Sequence, residues 1–233
     1  MIMREPGPSP QHVGPAAGDA LDIGKSFGMI FGTPLAVHYW PESEALNAEL
    51  QDLILAKEPT TEGLSVSNIG GWHSPPDFFH WDADCVRVIE DRVRQLFTAT
   101  SRAAVPEQTG APPAKYWIEG WVNVNRDGSY NKIHNHTHAI WSGTYYVSMG
   151  EPEGDDKNNG ALEFIPPSHA LELTDLTGKT VKQECLVTPG PGVMVLFPAW
   201  LLHQVRPFRG KGTRISIAFN ISMPKGMPPA WAK

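Results

Sequence analysis

Two periodicities divide this chain. Before residue 117 the apolar positions recur at helical spacing; from 117 onward they mostly alternate or run in short blocks. Leu46, Leu50, Leu53 and Ile54 follow Pro41-Glu-Ser-Glu44, whose acidic side chains suit the positive end of a helix. Val86, Ile89, Val93, Leu96 and Phe97 form a second stripe, which predicts a helix over residues 82–99. Residues 117–125 alternate strictly. Trp117, Glu119, Trp121, Asn123 and Asn125 share one face, and Ile118, Val122 and Val124 share the other. Such a strand has one side on an apolar layer and one on a polar cavity. Further strands are expected within 28–40, with a kink at Pro34, and at 141–147, 161–165, 181–187, 192–198 and 214–220. Turn signals separate them, among them Arg126-Asp-Gly-Ser129 and Pro189-Gly-Pro-Gly192. Early helices followed by roughly eight strands predict a mainly β fold with flanking helices, a sandwich or jelly roll with helices over one face.

Composition narrows the function. The 233 residues suffice for one large domain. Residues 1–20 are rich in Pro, Gly and Ala, and residues 223–233 in Pro and Gly. Both read as tails around a single domain at 21–222. A net charge of -6 leaves no basic excess for nucleic acid. No run of eighteen apolar residues predicts a membrane span. The N-terminus lacks the apolar core of a secretory signal, so a cytoplasmic location is expected. Cys85 and Cys185 form no CxxC pair and are expected to be separate thiols. Residues 65–76 and 150–160 are polar, Gly-rich loops expected to cover a cavity mouth.

The chemistry concentrates in residues 130–147, where His134, His136 and His138 alternate just before a strand. In an extended segment, residues two apart project from one face, so two imidazoles can reach one metal ion. A non-haem Fe(II) oxygenase site needs three ligands on one face of an octahedron, usually two histidines and a carboxylate. His203, after the strand at 192–198, is the natural distant ligand. Arg214 follows at the start of the last strand, with Ser216 on the same face. A planar guanidinium grips a carboxylate bidentately, and a serine hydroxyl can donate to the same group. His12, His38, His80 and His169 read as surface or satisfied core side chains, and His73 and Trp72 as core.

Five stretches carry a family resemblance: Ser67-Asn-Ile-Gly-Gly-Trp-His-Ser74, residues 134–147, Gly160-Ala-Leu-Glu-Phe164, residues 191–203 and Arg214-Ile-Ser-Ile-Ala-Phe-Asn220. Through them the sequence resembles the 2-oxoglutarate- and Fe(II)-dependent oxygenase superfamily, in particular a bacterial subgroup with an HxH motif. The resemblance implies a double-stranded β-helix, Fe(II), 2-oxoglutarate and O2. It implies His134, His136 and His203 as metal ligands, and Arg214 and Ser216 on the far carboxylate of 2-oxoglutarate. Asn123 and Tyr146 are expected to add hydrogen bonds to 2-oxoglutarate or substrate.

One position departs from the usual motif, because His136 stands where most of the superfamily has Asp or Glu. Either His136 ligates, or its position stays open to water or an anion, or His136 and His138 form the near pair. Asp127, Asp155 and Asp156 lie in turns, unsuited to replace the carboxylate. Glu119 and Glu163 are the carboxylates that can face the cavity. The activity expected is hydroxylation of a small molecule, amino acid or peptide side chain; a homodimer is compatible with it. Two rivals stand beside it. One is a three-histidine cupin-type metalloenzyme without 2-oxoglutarate; the other is a non-catalytic ligand-binding jelly roll.

Overall fold

The computed structural model describes residues 33–104, 115–167, 172–174, 180–182 and 185–223. In chain order the elements are β1 (Ala36–Tyr39), α1 (Glu44–Lys57), β2 (Asn68–Ile69), β3 (Trp72–His73), α2 (Asp84–Ala104), β4 (Trp117–Asn125), β5 (Tyr130–His134), β6 (Trp141–Pro152), β7 (Leu162–Phe164), β8 (Glu172–Thr174), β9 (Thr180–Lys182), β10 (Cys185–Val187), β11 (Val193–Pro198), β12 (His203–Val205) and β13 (Gly210–Ser222).

The strands form two antiparallel sheets. The larger has the order β1-β11-β6-β13-β4-β3, the smaller β10-β7-β12-β5-β2, and β8 and β9 make a separate ribbon. Alternation within each strand decides what each face does. On β13, Ile215, Ile217, Phe219 and Ile221 join a core with Leu50 and Ile54 of α1 and Val86, Ile89, Val93 and Phe97 of α2. The intervening Arg214, Ser216 and Ala218 line a cavity between the sheets. On β6, Tyr145 and Val147 go to the helices, while Ser142, Thr144 and Tyr146 go inward. Val195 and Phe197 of β11 pack inward with Leu162 and Phe164 of β7. The fold is thus a double-stranded β-helix with helices on the outer face of the larger sheet.

Gly143 makes one of these contacts possible. A Cβ there would lie 2.4 Å from Phe219 Cζ and 2.5 Å from the Val195 carbonyl oxygen. Only hydrogen leaves room for the Phe219 ring to cross β6.

Several expectations need correction. The second helix runs to Ala104 rather than stopping at 99, and β6 continues through Pro152. Residues 150–152 therefore pair with β13 instead of opening the acidic loop, with Gly210 opposite Pro152. The expected loop at 65–76 contains β2 and β3, and 181–187 divides between β9 and β10. Thirteen strands occur among the described residues rather than eight. Short strands escaped because two or three residues carry no readable period. The tail at 1–20, residues 28–32 of the first expected strand, His169 and the C-terminal tail beyond Met223 lie outside the described residues. Cys85 and Cys185 are both free thiols. Among the described residues no helix is long and apolar enough to cross a membrane.

Candidate active site

His134 ends β5, and His203 opens β12 directly opposite it in the antiparallel ladder. His136 lies beyond the strand, held by its backbone N–H donating to the Ala199 carbonyl at 2.8 Å. Strand pairing thus reaches His134 alone of the three alternating histidines, because β5 ends there and a turn follows at Thr137 and His138. The same histidines nevertheless converge. One ring nitrogen from each of His134, His136 and His203 lies within 4.8 Å of the others, a grouping able to hold a metal ion. Ring centroids are 4.3 Å apart for His134 and His203, 5.0 Å for His134 and His136, and 5.3 Å for His136 and His203.

Two of these rings are oriented by backbone. His134 Nδ1 lies 2.7 Å from the Lys132 carbonyl, and His203 Nδ1 lies 2.8 Å from the Leu201 carbonyl. Donating from Nδ1 fixes the tautomer and leaves an Nε2 lone pair for a metal. Burial lowers the pKa of His134. His203 falls to about 4 through burial and then the nearby His134. His136 falls to about 3 through burial and then its imidazole neighbours, led by His203. Near pH 7 all three are neutral, the form a metal requires.

His138 stands apart from this group. Its Nε2 lies 3.0 Å from Glu119 Oε1. Glu163 is also turned away, bonded to Gln204 and to Arg206 through two contacts of 2.9 Å. Asp127 meets Arg209, and Asp156 caps the backbone of Asn158. No carboxylate lines the inner cavity among the described residues.

That cavity contains an unmatched positive charge. Arg214 is 1% exposed, and its Nε and Nη2 have no hydrogen-bond partner among the described residues. Its guanidinium carbon lies 5.2 Å from the Tyr146 ring centroid. The Tyr146 hydroxyl and Asn123 Oδ1 are likewise buried without a partner. Burial lowers the Arg214 pKa and raises that of Tyr146, so the phenol keeps its proton. Ser216 shares the lining. Buried polar groups are normally satisfied, and a buried cation is normally paired. One guanidinium, one phenol and one serine hydroxyl without a carboxylate form a receptor for an anion. The residues present therefore fit a dicarboxylate that reaches from the histidines to Arg214.

Sequence reading placed His134, His136, His203, Arg214, Ser216, Asn123 and Tyr146 near one another, and all seven line this cavity. Asn125, expected on the same face, is buried but absent from the lining. Ser67, Asn131 and Trp121 line it too, without having been singled out for a role. Asn131 Nδ2 donates to Ser67 Oγ at 3.2 Å, and Ser67 Oγ lies 3.5 Å from His134 Nε2. Only the pairing of β2 with β5 brings these side chains together. None of residues 150–160 lines either cavity. Gly160 sits by Arg214, where a Cβ would meet Nε at 3.1 Å.

Residues 119–220 match the family described as "Putative 2OG-Fe(II) oxygenase". The matched stretch, less than half of the chain, contains His134, His136, His203 and Arg214 and is similar to that family. Solved structures of the same fold include a Pseudomonas putida prolyl-4-hydroxylase (14% identity, TM-score 0.56, covering 83% of this chain and 93% of that one). A Trichoplax adhaerens prolyl hydroxylase in complex with a hypoxia inducible factor peptide is also similar (14%, TM-score 0.53, 81% and 83%). So is HygX from Streptomyces hygroscopicus with nickel and 2-oxoglutarate bound (14%, TM-score 0.51, 83% and 84%). No match was found among curated proteins.

Outside the three clustered histidines lies a second chamber of about 630 Å³. His134, His136, Trp121 and Ser67 border both spaces. Its size lies within the range of small-molecule sites.

Proposed function

We propose that the domain is a hydroxylase in which His134, His136 and His203 hold Fe(II), and Arg214, Ser216, Tyr146 and Asn123 hold 2-oxoglutarate. The observation that carries this reading is the buried, unpaired Arg214 across one small cavity from three neutral histidines. A three-histidine enzyme without 2-oxoglutarate leaves Arg214 without an anion, and a non-catalytic jelly roll leaves the histidines without a purpose.

Each residue has a physical task. His134 and His203 present Nε2 because Nδ1 is committed to a carbonyl. His136 supplies a third neutral donor where a carboxylate is usual, so the protein contributes no negative charge to the metal. Arg214 receives the far carboxylate of 2-oxoglutarate with a planar fork, and Ser216 and Tyr146 donate to its oxygens. Leu162, Phe197 and Val205 line the cavity and keep water from it. When bound, Fe(II) and 2-oxoglutarate supply the oxidising power by which O2 hydroxylates a C–H bond. The outer chamber takes the substrate, a small molecule, amino acid or peptide side chain.

The test is succinate release by protein reconstituted anaerobically with Fe(II), then given 2-oxoglutarate, O2 and a substrate panel. Release that requires all three cofactors, with a product heavier by one oxygen, supports the reading. Turnover that is indifferent to 2-oxoglutarate overturns it.

A further inference from the structure

The outer chamber has one acidic side chain in its lining, Glu119, and that carboxylate has no Lys or Arg partner among the described residues. Its Oε1 accepts a hydrogen bond from Asn220 Nδ2 at 3.0 Å and lies 3.0 Å from His138 Nε2. Asn220 is 1% exposed and stands directly across from Glu119 in the β13–β4 ladder. A buried amide thus anchors one carboxylate oxygen, while the other makes no hydrogen bond among the described residues. The side chain is 33% exposed, partly withdrawn from water yet open to the chamber. A carboxylate so placed is a charge-assisted acceptor for a cation, its neighbour His138 being charged only when protonated.

Its neighbours indicate what accompanies that cation. Glu119 and Trp121 lie two apart on β4 and share a face. Trp121 abuts His136, with ring centroids 5.6 Å apart. Glu119 is therefore about 7 Å farther out along the strand than Trp121. Leu64, Val66 and Ile133 also line the chamber and are 42%, 62% and 53% exposed. They offer an apolar surface to an aliphatic stem. Lys132, the lysine of the lining, belongs to β5 in the other sheet and makes no ion pair with Glu119.

We propose that Glu119 receives the protonated primary amine of the substrate. The amine rides on an aliphatic stem against Leu64, Val66 and Ile133, and the carbon to be oxidised lies inward of Trp121. This deepens the oxygenase reading and rests on it only for the last clause, since the amine site needs no metal. A free alkylamine and a lysine side chain share this chemistry.

The experiment measures binding to the full chain, without added metal, by calorimetry. The probes are n-butylamine, a short lysine-containing peptide and the N-acetylated form of each. At least one amine is expected to bind tenfold or more tightly than its acetylated form, and the tighter of the two names the source. Glu119→Gln keeps the shape and the neutral contacts, and is expected to abolish that preference. Glu119→Lys is expected to favour butyrate over butylamine. Equal binding of amine and acetylated forms by the unaltered protein overturns the proposal without recourse to a variant. So does a preference that survives in a folded Glu119→Gln protein. Amine preference without Fe(II)- and 2-oxoglutarate-dependent succinate release supports the site and overturns the oxygenase reading alone.

Discussion

His203 lies directly across from His134 in the β12–β5 ladder, with ring centroids 4.3 Å apart. One strand pairing thereby brings together two ring nitrogens from distant parts of the chain. His136 is added by a backbone hydrogen bond to Ala199, in the connection between β11 and β12. The candidate metal site is thus built where β5 and β12 meet.

Removing either paired histidine should remove the metal. His134→Ala and His203→Ala are expected to weaken Fe(II) binding by more than about 100-fold, beyond the loss typical of a residue that merely orients a ligand. His136→Asp, which restores the usual carboxylate, is expected to keep binding. Metal content after anaerobic reconstitution and desalting reads all three. Full iron occupancy in His203→Ala refutes the assignment.

Arg214 separates stability from ligand binding. Arg214→Met replaces an unpaired buried cation with an apolar side chain of similar length. The metal-free protein is expected to gain about 1 kcal/mol or more in unfolding free energy. Saturating 2-oxoglutarate should stabilise the unaltered protein, by about 2.7 kcal/mol at one hundred times its Kd, and the variant hardly at all. Denaturant unfolding with and without 2-oxoglutarate measures both. An equal ligand effect on the two proteins contradicts the carboxylate role.

The histidines also set an acid limit on the metal-free fold. The folded pKa is about 3 for His136, about 4 for His203, and lowered for His134. In the unfolded chain all three titrate near 6.5. Below that value the unfolded state binds more protons, so stability present above pH 6.5 is lost as pH falls toward 4 and 3. Urea midpoints between pH 7 and 4 should decline, and His136→Phe should flatten the decline. An unchanged slope in that variant counts against a buried neutral His136.

Gly143 tests the packing of the larger sheet. Gly143→Ala drives a methyl group to within 2.4 Å of Phe219 Cζ and 2.5 Å of the Val195 carbonyl. Overpacking of this kind costs about 1–3 kcal/mol, and the rigid carbonyl places the loss at the upper end. Phe219→Leu, by vacating ring space, should recover part of it. A denaturant midpoint unmoved by Gly143→Ala would mean that β6 and Phe219 separate readily.

The periodic elements were legible because their patterns are local. β4 runs over the nine residues whose alternation marks it, and the five apolar positions of the α2 stripe are all buried. The site residues were legible by type and order, since neutral imidazoles and a guanidinium have few uses in one β-rich domain. Ser67, Asn131 and Glu119 were not assigned their contacts, because each depends on a neighbour brought by strand pairing.

The sequence alone therefore determined the two periodicities, the alternation that sends Arg214 and Ser216 to the face opposite Ile215 and Ile217, and the supply of metal-binding groups. Tertiary structure decided which groups meet. It took His136 out of the strand yet left it beside His134 and His203, and it gave His138 to Glu119. It turned Glu163 toward Arg206 and left Arg214 buried with no carboxylate side chain in its cavity among the described residues. Side-chain direction along a strand follows from local geometry. Convergence follows from sheet register and chain turns, which contacts distant in sequence select.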